Sequence, residues 1–270
     1  MDTIWVEGFV FGLFGLALVT GFRGDVHRGA TVLAASSFGL LVELYFLTFA
    51  QGYAYGEFTL MLHGAPLWVA AGWGFILAWS LEAAERLPIR RWGVPFVAAC
   101  MATGLDLMLD PIAEARGWWH WKRPDPGFFG VSYDNFSGWL VLVASFVGAQ
   151  VALTARFGTA GWRAVVFPFL GIPAAIVGVV GVQPLLEAAY RRVGEGPVFL
   201  ALWTLFLAVG LGAHGRWPVL PGALLPLAFF VLLVPVGAMG PFQVHTELYG
   251  VFAASLAFGF ATWLPRTGPS

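Results

Sequence analysis

Long apolar runs dominate the chain, broken at intervals by short clusters of charged and turn-forming residues. A helix needs about 20 predominantly apolar residues to cross ~30 Å of hydrocarbon. Runs of that order predict spans at Gly8–Phe22, Ala30–Ala50, Pro66–Ala84, Val94–Ile112, Ser137–Ala155, Ala164–Leu186, Pro197–Ala213, Val219–Gly237 and Leu248–Leu264. The expectation is therefore an all-α, polytopic transmembrane helical bundle of about seven to nine spans. No internal repeat stands out, and residues 1–270 read as a single integral membrane domain. Asp2 and Glu7 precede the first span and no Lys or Arg comes before Arg23, which is not the pattern of a secretory signal.

Composition sharpens this picture by exclusion. Hydrophobic residues make up 59% of the 270 and charged ones only 11%, against about 25% charged in a typical soluble domain. That leaves too little polar material to cover a water-soluble globule, and the cell membrane, crossed many times, is the expected location. A formal net charge of −1 argues against a nucleic-acid partner. A single cysteine, Cys100, excludes an internal disulfide and a cysteine-built metal site. Counted over alternate loops, nine Lys and Arg fall on one side and five on the other, so the positive-inside rule predicts the N-terminus out and the C-terminus in.

Two loops depart from short connections. Gln51–Ala65 carries Tyr53, Tyr55, Glu57 and His63 but no basic residue, and Ala113–Phe136 is crowded with Trp, Phe, Pro and Gly. Alternation puts both on one face of the membrane. They read either as an interfacial aromatic belt or as a lid over a pocket.

The chemistry lies in ionisable groups at membrane depth, which cost at least about 2.5–3.5 kcal/mol at a span centre and mark function by default. Glu43, Glu82, Asp106 and Asp110 are such groups. Asp106 and Asp110 are four apart and share a helix face. Two carboxyls close together in a dry site cannot both ionise cheaply, so one keeps its proton and becomes a general acid in waiting. Pro111 biases Asp110 away from helical geometry, which predicts a break or kink there. Structural roles compete: Asp110 as a cap for freed backbone, Glu43 as a neutral interhelical contact. Glu82, beside Glu85 and Arg86, reads as interfacial, and Glu187 with Arg191 as a surface pair. The histidines His27, His63, His120, His214 and His245 share no metal-ligand spacing, so no metal site is predicted. His63 and His120 lie in the two unusual loops and read as interfacial residues or proton carriers. No nucleophile elbow, phosphate loop or dinucleotide fingerprint occurs.

Three blocks carry a resemblance, together covering about residues 40–140. Glu43 is followed by Tyr53-Ala54-Tyr55. His63-Gly64-Ala65-Pro66 runs into a span with Trp68 and Trp73. Asp106-Leu107-Met108-Leu109-Asp110-Pro111 leads to Gly117-Trp118-Trp119-His120-Trp121 and then Asn135-Phe136-Ser137-Gly138-Trp139. In these the chain resembles the integral-membrane carotenoid-biosynthesis proteins that include γ-carotene 1′,2′-hydratase and bisanhydrobacterioruberin hydratase. The stretch before the paired tyrosines, Thr48-Phe49-Ala50-Gln51-Gly52, is shorter than the Gly-rich block of those hydratases.

The resemblance implies water addition across the terminal C1=C2 bond of an acyclic carotenoid end group, giving a tertiary alcohol. Asp106 or Asp110 is then the acid, and Glu43 or the ionised partner carboxylate adds charge and holds water. Tyr53, Tyr55, His63, Trp73, Trp118, Trp119, Trp121, Asn135 and Trp139 form the substrate site, with the Trp118, Trp119, Trp121 or Tyr55 ring facing the cation and Asn135 orienting water or a carboxylate. No cofactor is implied. The expected partners are a carotenoid within the bilayer and other enzymes of the carotenoid pathway. Two other readings stand beside this one. A membrane prenyltransferase would hold Mg²⁺ and diphosphate on an Asp pair, but a second acidic cluster is missing after Asp134. A carotenoid-binding or isoprenoid-transporting protein would use its carboxyls as a proton relay. A retinal photoreceptor is excluded, because Lys122, the only lysine, lies in a loop.

Overall fold

The computed structural model of the chain describes residues 3–50, 52–87, 89–122 and 127–213. Seven helices follow one another as α1 (Thr3–Gly24), α2 (Val26–Tyr45), α3 (Leu67–Glu85), α4 (Val94–Arg116), α5 (Tyr133–Phe157), α6 (Arg163–Val193) and α7 (Glu195–Gly212). The first six are long and apolar enough to cross a membrane, and α7 has a shorter apolar stretch, Glu195–Gly210. The protein is a multi-pass helical bundle, in line with the pattern of apolar runs. The two spans expected at Val219–Gly237 and Leu248–Leu264 lie outside the described residues, as do His214 and His245.

Helix ends follow local chemistry. Asp25 caps α2 by accepting from the His27 backbone N–H. Gly117, at φ +69°, closes α4 in the left-handed conformation that a side chain would strain. Pro111 does not break α4, contrary to expectation: the helix runs on through Asp110 and Pro111 to Arg116. Inside a bundle, neighbouring helices hold a proline-containing segment helical, so the bias against Asp110 is overridden.

Packing brings α2 against α1, α3 and α6, and α4 against α3, α5 and α7. Phe38 of α2 stacks on Phe146 of α5 at 5.2 Å in the fully buried centre. Close approach of α2 and α3 depends on Gly39, where an added Cβ would lie 2.2 Å from the Trp73 side chain. Another polar contact ties three helices. Pro168 has no N–H for the Ala164 carbonyl one turn earlier. The His27 ring nitrogen Nδ1 lies 3.3 Å from that carbonyl, and Nε2 lies 3.4 Å from the Thr154 hydroxyl. His27 thus links α2, α5 and α6.

The two unusual loops meet at one end of the bundle. Strand β1 (Tyr53–Tyr55) comes from the first, and the second supplies β4 (Trp119–Trp121), paired antiparallel with it. The hairpin of β2 (Met61–Leu62) and β3 (Ala65–Pro66) turns at His63 and Gly64, both at positive φ as a type I′ turn requires. At the other end, Glu82 bonds Arg86 and lies 3.5 Å from Arg28. Arg191 lies 3.8 Å from the exposed Glu187 as a surface pair.

Candidate active site

Strand periodicity builds the roof of the site. Residues two apart on a strand point to one face, so Tyr53 and Tyr55 of β1 look the same way, and across the ladder Trp121 and Trp119 face them in register. The rings meet edge-on, Tyr53 with Trp121 at 5.2 Å and Tyr55 with Trp119 at 5.7 Å. Ala54 and His120 necessarily face outward. His120 is exposed, 3.6 Å from Glu114. Gly56 lets the strands close at this end, since a Cβ there would sit 2.8 Å from the Gly117 carbonyl oxygen.

Below this roof the last turn of α2 presents Glu43, buried. Both its oxygens are occupied: Oε2 accepts from the Tyr53 hydroxyl at 2.6 Å and the Tyr55 hydroxyl at 2.8 Å, and Oε1 accepts from Trp73 Nε1 at 2.9 Å. Burial, reinforced by the Glu43 carboxyl beside them, pushes both phenols well above the usual tyrosine range. They are therefore O–H donors at any ordinary pH. Trp73 is itself fixed, stacked on Trp139 of α5 at 4.2 Å.

The second carboxyl cluster lies on α4. Asp106 and Asp110 are one turn apart, and Asn135 in the first turn of α5 bridges them. Its Nδ2 donates to Asp106 Oδ2 at 3.1 Å and to Asp110 Oδ2 at 2.5 Å. Asn135 and Trp139 share a face of α5 because they too are four apart. Asp106 has no exposed surface, whereas Asp110 lines the pocket.

Glu43 and Asp110 border the same pocket, a cavity of about 130 Å³. Tyr53, Tyr55, Trp73, Trp118, Trp119, Trp121, Asn135 and Trp139 surround it as well. Two residues of the sequence-based site lie elsewhere. Asp106 sits behind Asp110, and His63 is exposed at the tip of the β2–β3 hairpin, away from the lining. The sequence reading names Trp68 in its span but not at the site, where it stacks on Trp119, and it missed four residues of α1: Val6, Phe9, Val10 and Leu13. Apolar residues in an apolar helix carry no signal that separates a pocket face from a lipid face. It also missed Glu7 of α1, buried, whose Oε1 accepts from the Thr59 backbone N–H at 2.9 Å and hydroxyl at 3.0 Å. Among the described residues, no three His, Cys, Asp or Glu side chains converge as a metal site.

The polar and aromatic residues of the site come from α2, α3, α4, α5 and the two loops, all inside the stretch that a family comparison matches. Residues 7–202 match the carotenoid biosynthesis protein family. The chain belongs to that family. Comparisons with curated proteins and with solved structures return no match. Membership places the chain in carotenoid biosynthesis.

Proposed function

We propose that this family member hydrates the terminal C1=C2 double bond of an acyclic carotenoid end group. The observation that carries the reading is the pair of carboxyl sites on one aromatic pocket: Asp110, tied through Asn135 to Asp106, and Glu43, held by three donors. Addition of water to an isolated trisubstituted alkene requires an acid, a means of holding a tertiary cation, and a base for water. Two carboxyls in contact share one proton more cheaply than they carry two charges. Asp110, the member on the pocket, gives that proton to C2. The alkene π electrons form the new C–H bond and leave the cation at C1.

The rings around the pocket meet that cation with their faces, worth about 2 kcal/mol or more where water is excluded. Water attacks C1 through oxygen and passes a proton to a carboxylate, from which it returns to Asp110 across the shared pocket and restores the acid. Glu43 serves as that acceptor and as the counter-charge, since three hydrogen bonds satisfy an anionic carboxylate. The phenols of Tyr53 and Tyr55 keep it in place. No proton or electron is gained or lost overall.

Expression in a host that makes lycopene or γ-carotene tests this directly. The expected result is a pigment heavier by one water with the wild-type chain. Asp110→Asn should reduce conversion by roughly 10²–10⁴-fold, the usual range for a general acid. Unchanged pigments from well-expressed wild-type protein would overturn the hydratase reading in favour of binding or transport.

A further inference from the structure

Helix α1 supplies part of the pocket wall through Val6, Phe9, Val10 and Leu13. These positions follow spacings of three and four, the repeat of one helix face. The composition of α1 does not pick that face. From Ile4 to Phe22 the helix is apolar on every side, apart from Glu7 and Thr20. Lipid tails are as apolar as leucine, so burial of such a helix selects no rotation about its own axis. Some other contact has to hold Val6, Phe9 and Val10 toward the pocket.

Farther from the site, close packing does so. An added Cβ at Gly74 of α3 would lie 2.7 Å from Phe14 Cε2, and one at Gly21 would lie 3.0 Å from the Gly29 backbone nitrogen. Nearer the site the fit relaxes: at Gly72 a Cβ would make ordinary contact, 3.6 Å from Val10 Cγ1. There Glu7 takes over. It is buried but not on the pocket lining. It lies about 100° round the helix from Val6, so it flanks the lining stripe. Its Oε1 accepts from the Thr59 backbone N–H and hydroxyl together. Thr59 is itself held on both sides. Phe58 packs on the Trp68 ring at 5.3 Å, and the Leu60 carbonyl accepts from the Leu67 N–H at 2.9 Å. The same loop continues from β1, whose tyrosines hold Glu43.

We infer that Glu7 is a positioning residue of the site: its bonds to Thr59 set the rotation of the first turns of α1, and with it the apolar wall of the pocket, in register with the roof. This rests on the carotenoid reading for the identity of the ligand. Among the described residues the hydrogen bonds of Glu7 go to Thr59 and to neither carboxyl cluster. Its loss therefore acts on how the pigment is held and not on proton transfer.

The test uses the purified protein in nanodiscs with rising mole fractions of lycopene. Quenching of tryptophan fluorescence reads binding, and pigment mass reads conversion. Glu7→Ala should raise the lycopene needed for half-saturation by roughly tenfold and leave turnover at saturation within about twofold of wild type. Glu7→Gln keeps an acceptor oxygen for both Thr59 donors and should bind within about twofold of wild type. Thr59→Val removes the hydroxyl bond alone and should weaken binding by about threefold, which decides the matter if Glu7→Ala does not fold. Gly181→Ala, on α6 where a Cβ meets nothing within 4 Å among the described residues, should bind as wild type. Wild-type binding by Glu7→Ala and Thr59→Val would overturn the inference. So would a fall in turnover at unchanged half-saturation, or binding by Glu7→Gln as weak as by Glu7→Ala. If wild type binds but never hydrates, the hydratase reading falls and the role of Glu7 is decided by binding alone. If wild type hydrates and the variants bind normally, the hydratase reading stands and the role of Glu7 falls. If wild type binds no lycopene, both fall.

Discussion

At the scale of single residues, the two carboxyl clusters differ in what surrounds them, and the proposed roles rest on that difference. Glu43 has a donor for each lone-pair direction that matters, whereas the two aspartates share a single amide. Hydrogen bonds to charged groups contribute about 1.5–3 kcal/mol each. Replacing Asn135 by Ala leaves the aspartates unbridged, and conversion should fall by roughly ten- to a hundredfold at unchanged expression. Pigment analysis in the same host measures it, and Asn135→Gln should not rescue because its amide sits one carbon too far. The phenols give a separate prediction. Their pKa values are raised in the folded protein, so the unfolded chain loses protons first as pH rises. Stability contributed by these two groups is present below about pH 10, the ordinary phenol value, and declines above it. Tyrosinate absorbance should show Tyr53 and Tyr55 resisting ionisation until the protein unfolds. The Tyr53→Phe, Tyr55→Phe double variant should lack that late component.

At the scale of elements, the site depends on contacts that lie outside it. Gly39 is the clearest. Gly39→Ala would drive a methyl group into Trp73, the residue that both donates to Glu43 and stacks on Trp139. Overpacking of this kind costs about 1–3 kcal/mol. A lowered midpoint of thermal unfolding in detergent, together with loss of conversion larger than that of a Gly181→Ala control, is the expected pair of results. Legibility in the sequence divides along the same lines. Asp106 and Asp110 declare themselves because a four-residue spacing and membrane depth are local facts. Asn135 and Trp139 are visible only through the family resemblance, in the block Asn135-Phe136-Ser137-Gly138-Trp139. The β1–β4 roof is not, because strands of three residues have too little length to show alternation and their pairing joins distant loops. Without that register nothing in Trp119-His120-Trp121 says that the tryptophans face inward and the histidine out. His63 was placed at the site by its neighbours in sequence, and the left-handed turn carries it away from them. The α1 wall is hidden for a plainer reason: Val6, Phe9, Val10 and Leu13 are as apolar as the residues that face lipid.

At the scale of the whole molecule, the chain distributes its charge by membrane face. Arg23, Arg28, Arg86, Arg90, Arg91, Arg156 and Arg163 cluster at the helix ends opposite the site. Among the described residues the site end has Arg116, Lys122, Arg191 and Arg192. The positive-inside rule then turns the β1–β4 roof, and with it the carboxyl clusters, toward the outer face. Topology follows from labelling single cysteines, for which the chain is already suited. Cys100, the lone native thiol, is buried. Glu57→Cys, exposed in the loop after β1, should react with a membrane-impermeant maleimide on intact cells. Ala160→Cys, exposed in the α5–α6 turn, should react only after the membrane is opened. The reverse pattern would place the reacting end of the pigment at the inner face. It would also mean that water for the reaction comes from the cytoplasm, across the roof rather than from outside.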